Sequence, residues 1–126
     1  MSVSIMIVDD DEDDIDMFLE AVNTIDPTIN CLHAPNGMAG LALLNAVDQK
    51  PDYIFVDMNM PKMNGKQFTA EVKKNKLFDT TRLIIYSTSR PDNNLMHGAD
   101  GFISKPTNQD QLCLEISKVI NANTKS

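Results

Sequence analysis

The sequence predicts an α/β protein with a doubly wound parallel sheet and helices on both faces. Two observations carry that reading. Short apolar runs alternate with longer stretches that have one apolar face, five times over, and alternation at this spacing implies parallel strands joined by right-handed crossovers. The chain is also short: 126 residues, 42% apolar and 23% charged, which fits one globular domain with its own core.

The elements follow in order. "SIMIV" (4–8) is compact and β-branched, as a strand buried on both faces should be. A helix is predicted from Asp13 to about Asn23, because Ile15, Phe18, Leu19 and Val22 recur at spacings of three and four. The chain turns near Asp26–Pro27. "INCLHA" (29–34) reads as the second strand and Gly37 to Val47 as the second helix. "DYIFVD" (52–57) is the third strand, followed by a loop and a helix from about Lys66 to Asn75. "RLIIYS" (82–87) and "GFIS" (101–104) are strands four and five. A last helix runs from Gln109 to about Asn121, with Asn108 as its N-cap.

The net charge of −7 argues against nucleic acid or an anionic membrane as the main partner. It allows a metal cation or a basic protein surface. Cys31 and Cys113 lack CxxC spacing and stand among apolar residues, so reduced thiols and a cytoplasmic location are expected. No run is long enough for a signal peptide or a membrane span.

In open parallel sheets, ligands bind at the carboxyl ends of the strands, where strand order reverses. Asp9 and Asp10 follow strand one and Asp57 ends strand three. Ser87, Thr88 and Ser89 close strand four, and Lys105 and Pro106 follow strand five. Three carboxylates converging there need a counter-charge. A hard divalent cation such as Mg2+ supplies it and leaves coordination positions for phosphate oxygens. The same edge would then suit phosphoryl chemistry, with a carboxylate as nucleophile.

The opening acids, seven in the eight positions 9–16, have other readings. Asp13, Asp14 and Asp16 are expected in the first turns of a helix, where the dipole favours them. Asp11 and Glu12 fit either the helix start or the metal set, with solvated loop the preferred reading. A calcium loop would match Asp9, Asp11, Asp13 and Glu20, but Asp14 stands where its sharp turn needs glycine. An acidic disordered tail fails because apolar periodicity begins at Ile15. His33 and His97 read as surface or loop histidines, and Met58, Met60 and Met63 as loop packing.

The segments "IMIVDDDEDD", "DYIFVDMNMPKMNG", "LIIYSTS" and "GFISKP" together resemble the four signature segments of response-regulator receiver domains, the chemotaxis-regulator-like fold of two-component signalling. The resemblance covers the whole chain. Its most specific part is a strand ending in Asp, followed by Met-Pro and then Gly. It implies a single receiver domain over residues 1–126, flavodoxin-like, with strand order 2-1-3-4-5.

The resemblance also implies roles. Asp57 matches the phospho-accepting aspartate. Asp10 should touch Mg2+ directly, Asp9 through water, and Asn59 through its backbone carbonyl. Ser87 matches the switch hydroxyl, Lys105 the lysine that pairs with a phosphate oxygen, and Phe102 the aromatic that swaps rotamers. The bond between Lys105 and Pro106 is expected to be cis, and Asn59 and Ser89 to lie near the attacking water. The donor would be phosphohistidine on a histidine kinase or phosphotransfer protein, and the output a contact with a downstream protein. Such a chain is not a conventional enzyme, although it catalyses its own phosphorylation and dephosphorylation.

One departure stands out. Between Ser87 and Lys105 the fourth helix has room for about one turn less than usual, some 5 Å, which puts the usual output surface in doubt. Two alternatives stay open. One is a docking module that works without phosphorylation. The other is a small Mg-dependent phosphohydrolase that passes through an aspartyl phosphate; its expected second Asp is Asn59 here.

Overall fold

The computed structural model describes residues 3–58, 60, 63–88 and 98–124. Its elements are β1 (Ser4–Val8), α1 (Glu12–Ile25), β2 (Asn30–Ala34), α2 (Gly37–Ala46), β3 (Tyr53–Val56), α3 (Gly65–Lys74), a short 3-10 turn (Lys76–Phe78), β4 (Arg82–Ser87), β5 (Gly101–Ser104) and the C-terminal helix α4 (Gln109–Thr124). All strand pairs are parallel, in the order β2-β1-β3-β4-β5. The flavodoxin-like fold expected from the sequence is the one observed. The 3-10 turn was not anticipated; Asn75 caps it by accepting from the Leu77 N–H at 3.0 Å. The shortened helix expected between β4 and β5 falls largely on residues 89–97, outside the described residues, as do Asn59, Ser89 and His97.

Alternation along the strands divides the core in two. Ile5 and Ile7, Tyr53 and Phe55, Ile84 and Tyr86 point to one face, where they pack with Ile15, Phe18 and Val22 of α1 and Leu112 and Ile116 of α4. Met6 and Val8, Ile54 and Val56, and Leu83 point to the other, against Leu44 of α2 and Phe68 and Val72 of α3. Successive strand residues face opposite ways, so strands covered on both sides must be apolar throughout. Met60 and Met63 also pack on the second face, as loop packing predicts.

Four short polar residues start the four α-helices among the described residues. Asp11 accepts from the Asp13 and Asp14 N–H groups, Asn36 from Ala39, Asn64 from Gln67 and Asn108 from Gln111. Each satisfies backbone donors that a helix leaves orphaned in its first turn. Asp11 is therefore the N-cap of α1 and Glu12 its first residue. This corrects the expectation of solvated loop for both: the Asp11 carboxylate is the acceptor that lets the helix begin there. The Lys105–Pro106 bond is also corrected. No cis peptide occurs among the described residues, so the bond is trans, the form favoured by about 0.5–1 kcal/mol before proline.

Candidate phosphoryl and metal site

Strand order reverses between β1 and β3, which lie side by side with Val8 opposite Val56. The next residue of each is an aspartate. The Asp57 N–H donates to Val8 O at 2.9 Å, and the Asp9 N–H to Ala34 O at 3.1 Å. The sheet therefore fixes both backbones before either side chain makes a contact. Asp9, Asp10 and Asp57 each bring a carboxylate oxygen within 4.8 Å of the others. Oxygens that share a magnesium ion at 2.0–2.1 Å stand roughly 3–4 Å apart, so small side-chain rotations, or a bridging water, complete such a site. Asp9 is wholly buried and Asp57 nearly so, at 0% and 7% exposure, whereas Asp10 is exposed.

On the other side, Ser87 pairs with Ser104 in the β4–β5 register, and the Lys105 N–H donates to Ser87 O at 2.9 Å. That pairing aims Lys105 across the cleft. Its Nζ lies 2.7 Å from Asp9 Oδ2, 2.8 Å from Asp14 Oδ2 and 3.6 Å from Asp57 Oδ2. The ammonium also sits 5.3 Å from the centre of the Tyr86 ring, within range of a cation–π contact. Ser87 is buried at the end of β4 and Thr88 is exposed.

These contacts set the charge states. Burial pushes the Asp9 carboxyl up to about 6, against the pull of Lys105 and of the Asp11 N–H. Burial alone would lower Lys105, but the hydrogen bond to Asp14 and the close ion pair with Asp9 outweigh it and hold the ammonium well above the ordinary lysine range. Burial, then the nearby Asp14 charge, raises the Tyr86 hydroxyl. Lys105 is thus a fixed cation among four carboxylates, and its one charge cannot balance them. A divalent ion and a hard-oxygen donor set fit what is left over.

The structure brings together Asp9, Asp10, Asp57, Ser87 and Lys105. Phe102 is half-buried on β5 and lines a groove with Ser104, Pro106, Gln111 and Glu115. Asp14 is the residue that sequence reasoning missed. Its place in the first turn of α1 accounted for its charge, and nothing local signals a partner 91 residues away. His33 is exposed on β2, beside a pocket with Glu12, Ile15, Asp16 and Pro35. Both cysteines are free and partly buried, and burial raises Cys31 to about 11.

One glycine belongs to the site. A Cβ on Gly65 would stand 2.5 Å from Asp57 O and 2.7 Å from Met58 Cα. The glycine after Met-Pro is thereby explained: α3 starts against the backbone that carries Asp57.

Comparison with known proteins agrees with this geometry. The sensor histidine kinase CheAY of Helicobacter pylori is 34% identical over 96 residues, 73% of this chain, although the match spans only 12% of the kinase's own length. The chemotaxis protein CheY of Halobacterium salinarum is 33% identical over 94 residues, 71% of this chain and 74% of that protein. Among solved structures, the phosphorylated cyanobacterial phytochrome response regulator RcpA superposes with a TM-score of 0.83 at 25% identity, covering 94% of this chain and 91% of its own. No helix among the described residues is long and apolar enough to cross a membrane. Residues 5–117 match the response regulator receiver domain. A match that begins inside β1 and ends inside α4 takes in every strand that builds the cleft, and the chain belongs to the receiver domain family.

Proposed function

We propose that this protein accepts a phosphoryl group on Asp57 from phosphohistidine of a histidine kinase or histidine phosphotransfer protein, and signals by protein–protein contact. The observation that carries this reading is the convergence of Asp9, Asp10 and Asp57 within 4.8 Å, beside the Lys105 ammonium. That RcpA has been crystallised phosphorylated supports the same chemistry in a protein of this fold.

Asp10 and Asp57, with the Asn59 carbonyl, would hold Mg2+, and Asp9 would bind through water. When bound, the ion offsets the carboxylate charge and polarises the phosphoryl oxygens. The chain's own residues do the rest. An Asp57 carboxylate oxygen attacks phosphorus, an O–P bond forms, the P–N bond breaks, and its electron pair stays on the donor imidazole. Lys105 pairs with a phosphoryl oxygen. The Ser87 hydroxyl, at the end of β4, donates to another. The new group carries a charge of about −1.5 to −2 and draws Ser87 and Lys105 toward it. Phe102, three residues before Lys105, is the group through which that movement reaches the surface of β5 and α4.

The test is intact mass after incubation with acetyl phosphate, with and without Mg2+, on wild type and Asp57→Asn. A single Mg2+-dependent phosphoryl adduct, absent from the variant, is expected. No adduct on wild type would overturn the reading and leave a docking module on this fold. Steady turnover of a phosphate monoester would indicate a phosphohydrolase instead.

A further inference from the structure

We infer that Asp14 is a positioning residue that holds Lys105 on the α1 side of the cleft in the resting protein, and so restrains phosphoryl gain. The inference rests on the function proposed above and adds a residue that its machinery does not include. Three distances carry it. Lys105 Nζ is 2.8 Å from Asp14 Oδ2 and 2.7 Å from Asp9 Oδ2, but 3.6 Å from Asp57 Oδ2. The lysine is in hydrogen-bonding range of the two carboxylates that are not the acceptor, and beyond it from the one that is.

Asp14 is built for this position. It lies in the first turn of α1, whose start is set by the Asp11 cap, and Asp11 Oδ1 accepts from its N–H at 3.4 Å. Tyr86 supports the ammonium from below, with Nζ 5.3 Å from the ring centre. Lys105 is 9% exposed and Asp14 32%. The pair is therefore screened only in part, and its energy is that of a half-buried bridge rather than a surface one.

The consequence is kinetic and one-sided. Before transfer, Lys105 is bound to Asp14; in the transition state and in the phosphorylated protein it is bound to the phosphoryl group. Asp14 thus stabilises only the starting state of phosphoryl gain. During loss, the starting state and the transition state both have Lys105 on phosphate, and Asp14 favours neither. Asp14→Asn keeps the side chain's size and helix position but removes the charge. It should speed gain from a small donor by about three- to tenfold, the worth of a half-buried bridge, and change the rate of loss less than about twofold. A residue that only supported the fold would slow gain, or change both rates together.

The experiment follows phosphoryl gain by intact mass across acetyl phosphate concentrations, and loss after donor removal, in wild type, Asp14→Asn and Asp14→Glu. Thermal melts verify that both variants fold. Faster gain in Asp14→Asn, near-constant loss, and a return toward the wild-type rate in Asp14→Glu are expected. Equal or slower gain in Asp14→Asn, or equal acceleration in both variants, would overturn the inference while leaving the adduct and the receiver function intact. A wild-type protein that forms no adduct would instead overturn the function proposed above, and this inference with it.

Discussion

Lys105 and Asp9 form the most buried ion pair described in the protein: Nζ and Oδ2 are 2.7 Å apart, with side chains 9% and 0% exposed. The pair ties the loop after β5 to the end of β1 across the cleft. Removing one member of such a pair leaves a buried charge without its partner, which costs more than the pair itself contributes. Lys105→Met should therefore lower stability by about 2–4 kcal/mol, read from the urea midpoint of metal-free protein at pH 7. An unchanged midpoint would mean that the pair is solvated and loosely held.

Asp9 also makes the metal-free fold sensitive to pH. Its folded-state value of about 6 stands above the unfolded value of 3.8, so the native state binds the extra proton. The stabilising effect is complete below the unfolded value and is lost as pH rises through about 6. At pH 7 the ionised, buried carboxylate should cost on the order of 2 kcal/mol, and Asp9→Asn, which also takes a partner from Lys105, should remove this pH dependence without a matching gain in stability. Melting temperatures from pH 4 to 8 in EDTA would show the slope for wild type and its loss in the variant. Lys105, held above the lysine range, contributes throughout this window and yields only at strongly alkaline pH.

Asp10 differs from its neighbour. It is exposed, so Asp10→Asn should change metal-free stability by less than about 0.5 kcal/mol. As a proposed direct ligand, its loss should weaken Mg2+ binding at least about tenfold. Melting temperature titrated with MgCl2 separates the two effects, because only the native state has the site. Wild-type affinity in the variant would remove Asp10 from the ligand set.

Gly65→Ala is expected to destabilise by about 1–3 kcal/mol. The added Cβ would meet backbone atoms at 2.5 and 2.7 Å, and neither Asp57 O nor Met58 Cα can swing aside as a side chain would. Either α3 shifts outward or the acceptor loop moves. An ¹⁵N–¹H correlation spectrum should show the largest shifts at Asp57, Met58 and the first turn of α3. A neutral substitution with no such shifts would mean that the loop gives way freely.

Much of the architecture was legible before any coordinate. β4 and β5 span the residues expected from "RLIIYS" and "GFIS", because an apolar run bounded by turn residues is a local signal. Helix ends moved by up to three residues. The Asp11 cap put the start of α1 at Glu12, and α4 runs on to Thr124. The gathering of Asp9, Asp10, Asp57, Ser87 and Lys105 at one sheet edge was also readable, since parallel strands bring their carboxyl ends together whatever the loops do.

By itself, then, the sequence determined the strands, their order through a family resemblance, and which side chains meet at the cleft, because periodicity and strand ends are local properties. Only the tertiary structure decided what each acid does there. Asp9 and Asp10 are chemically identical neighbours, yet one is fully buried against Lys105 and the other exposed, because successive residues leave a strand toward opposite sides. Asp14 resembled any acid at a helix start until the pairing of β5 with β4 laid Lys105 against it, 91 residues along the chain. Contacts at that separation are fixed by how the helices pack on the sheet, and no local pattern encodes them.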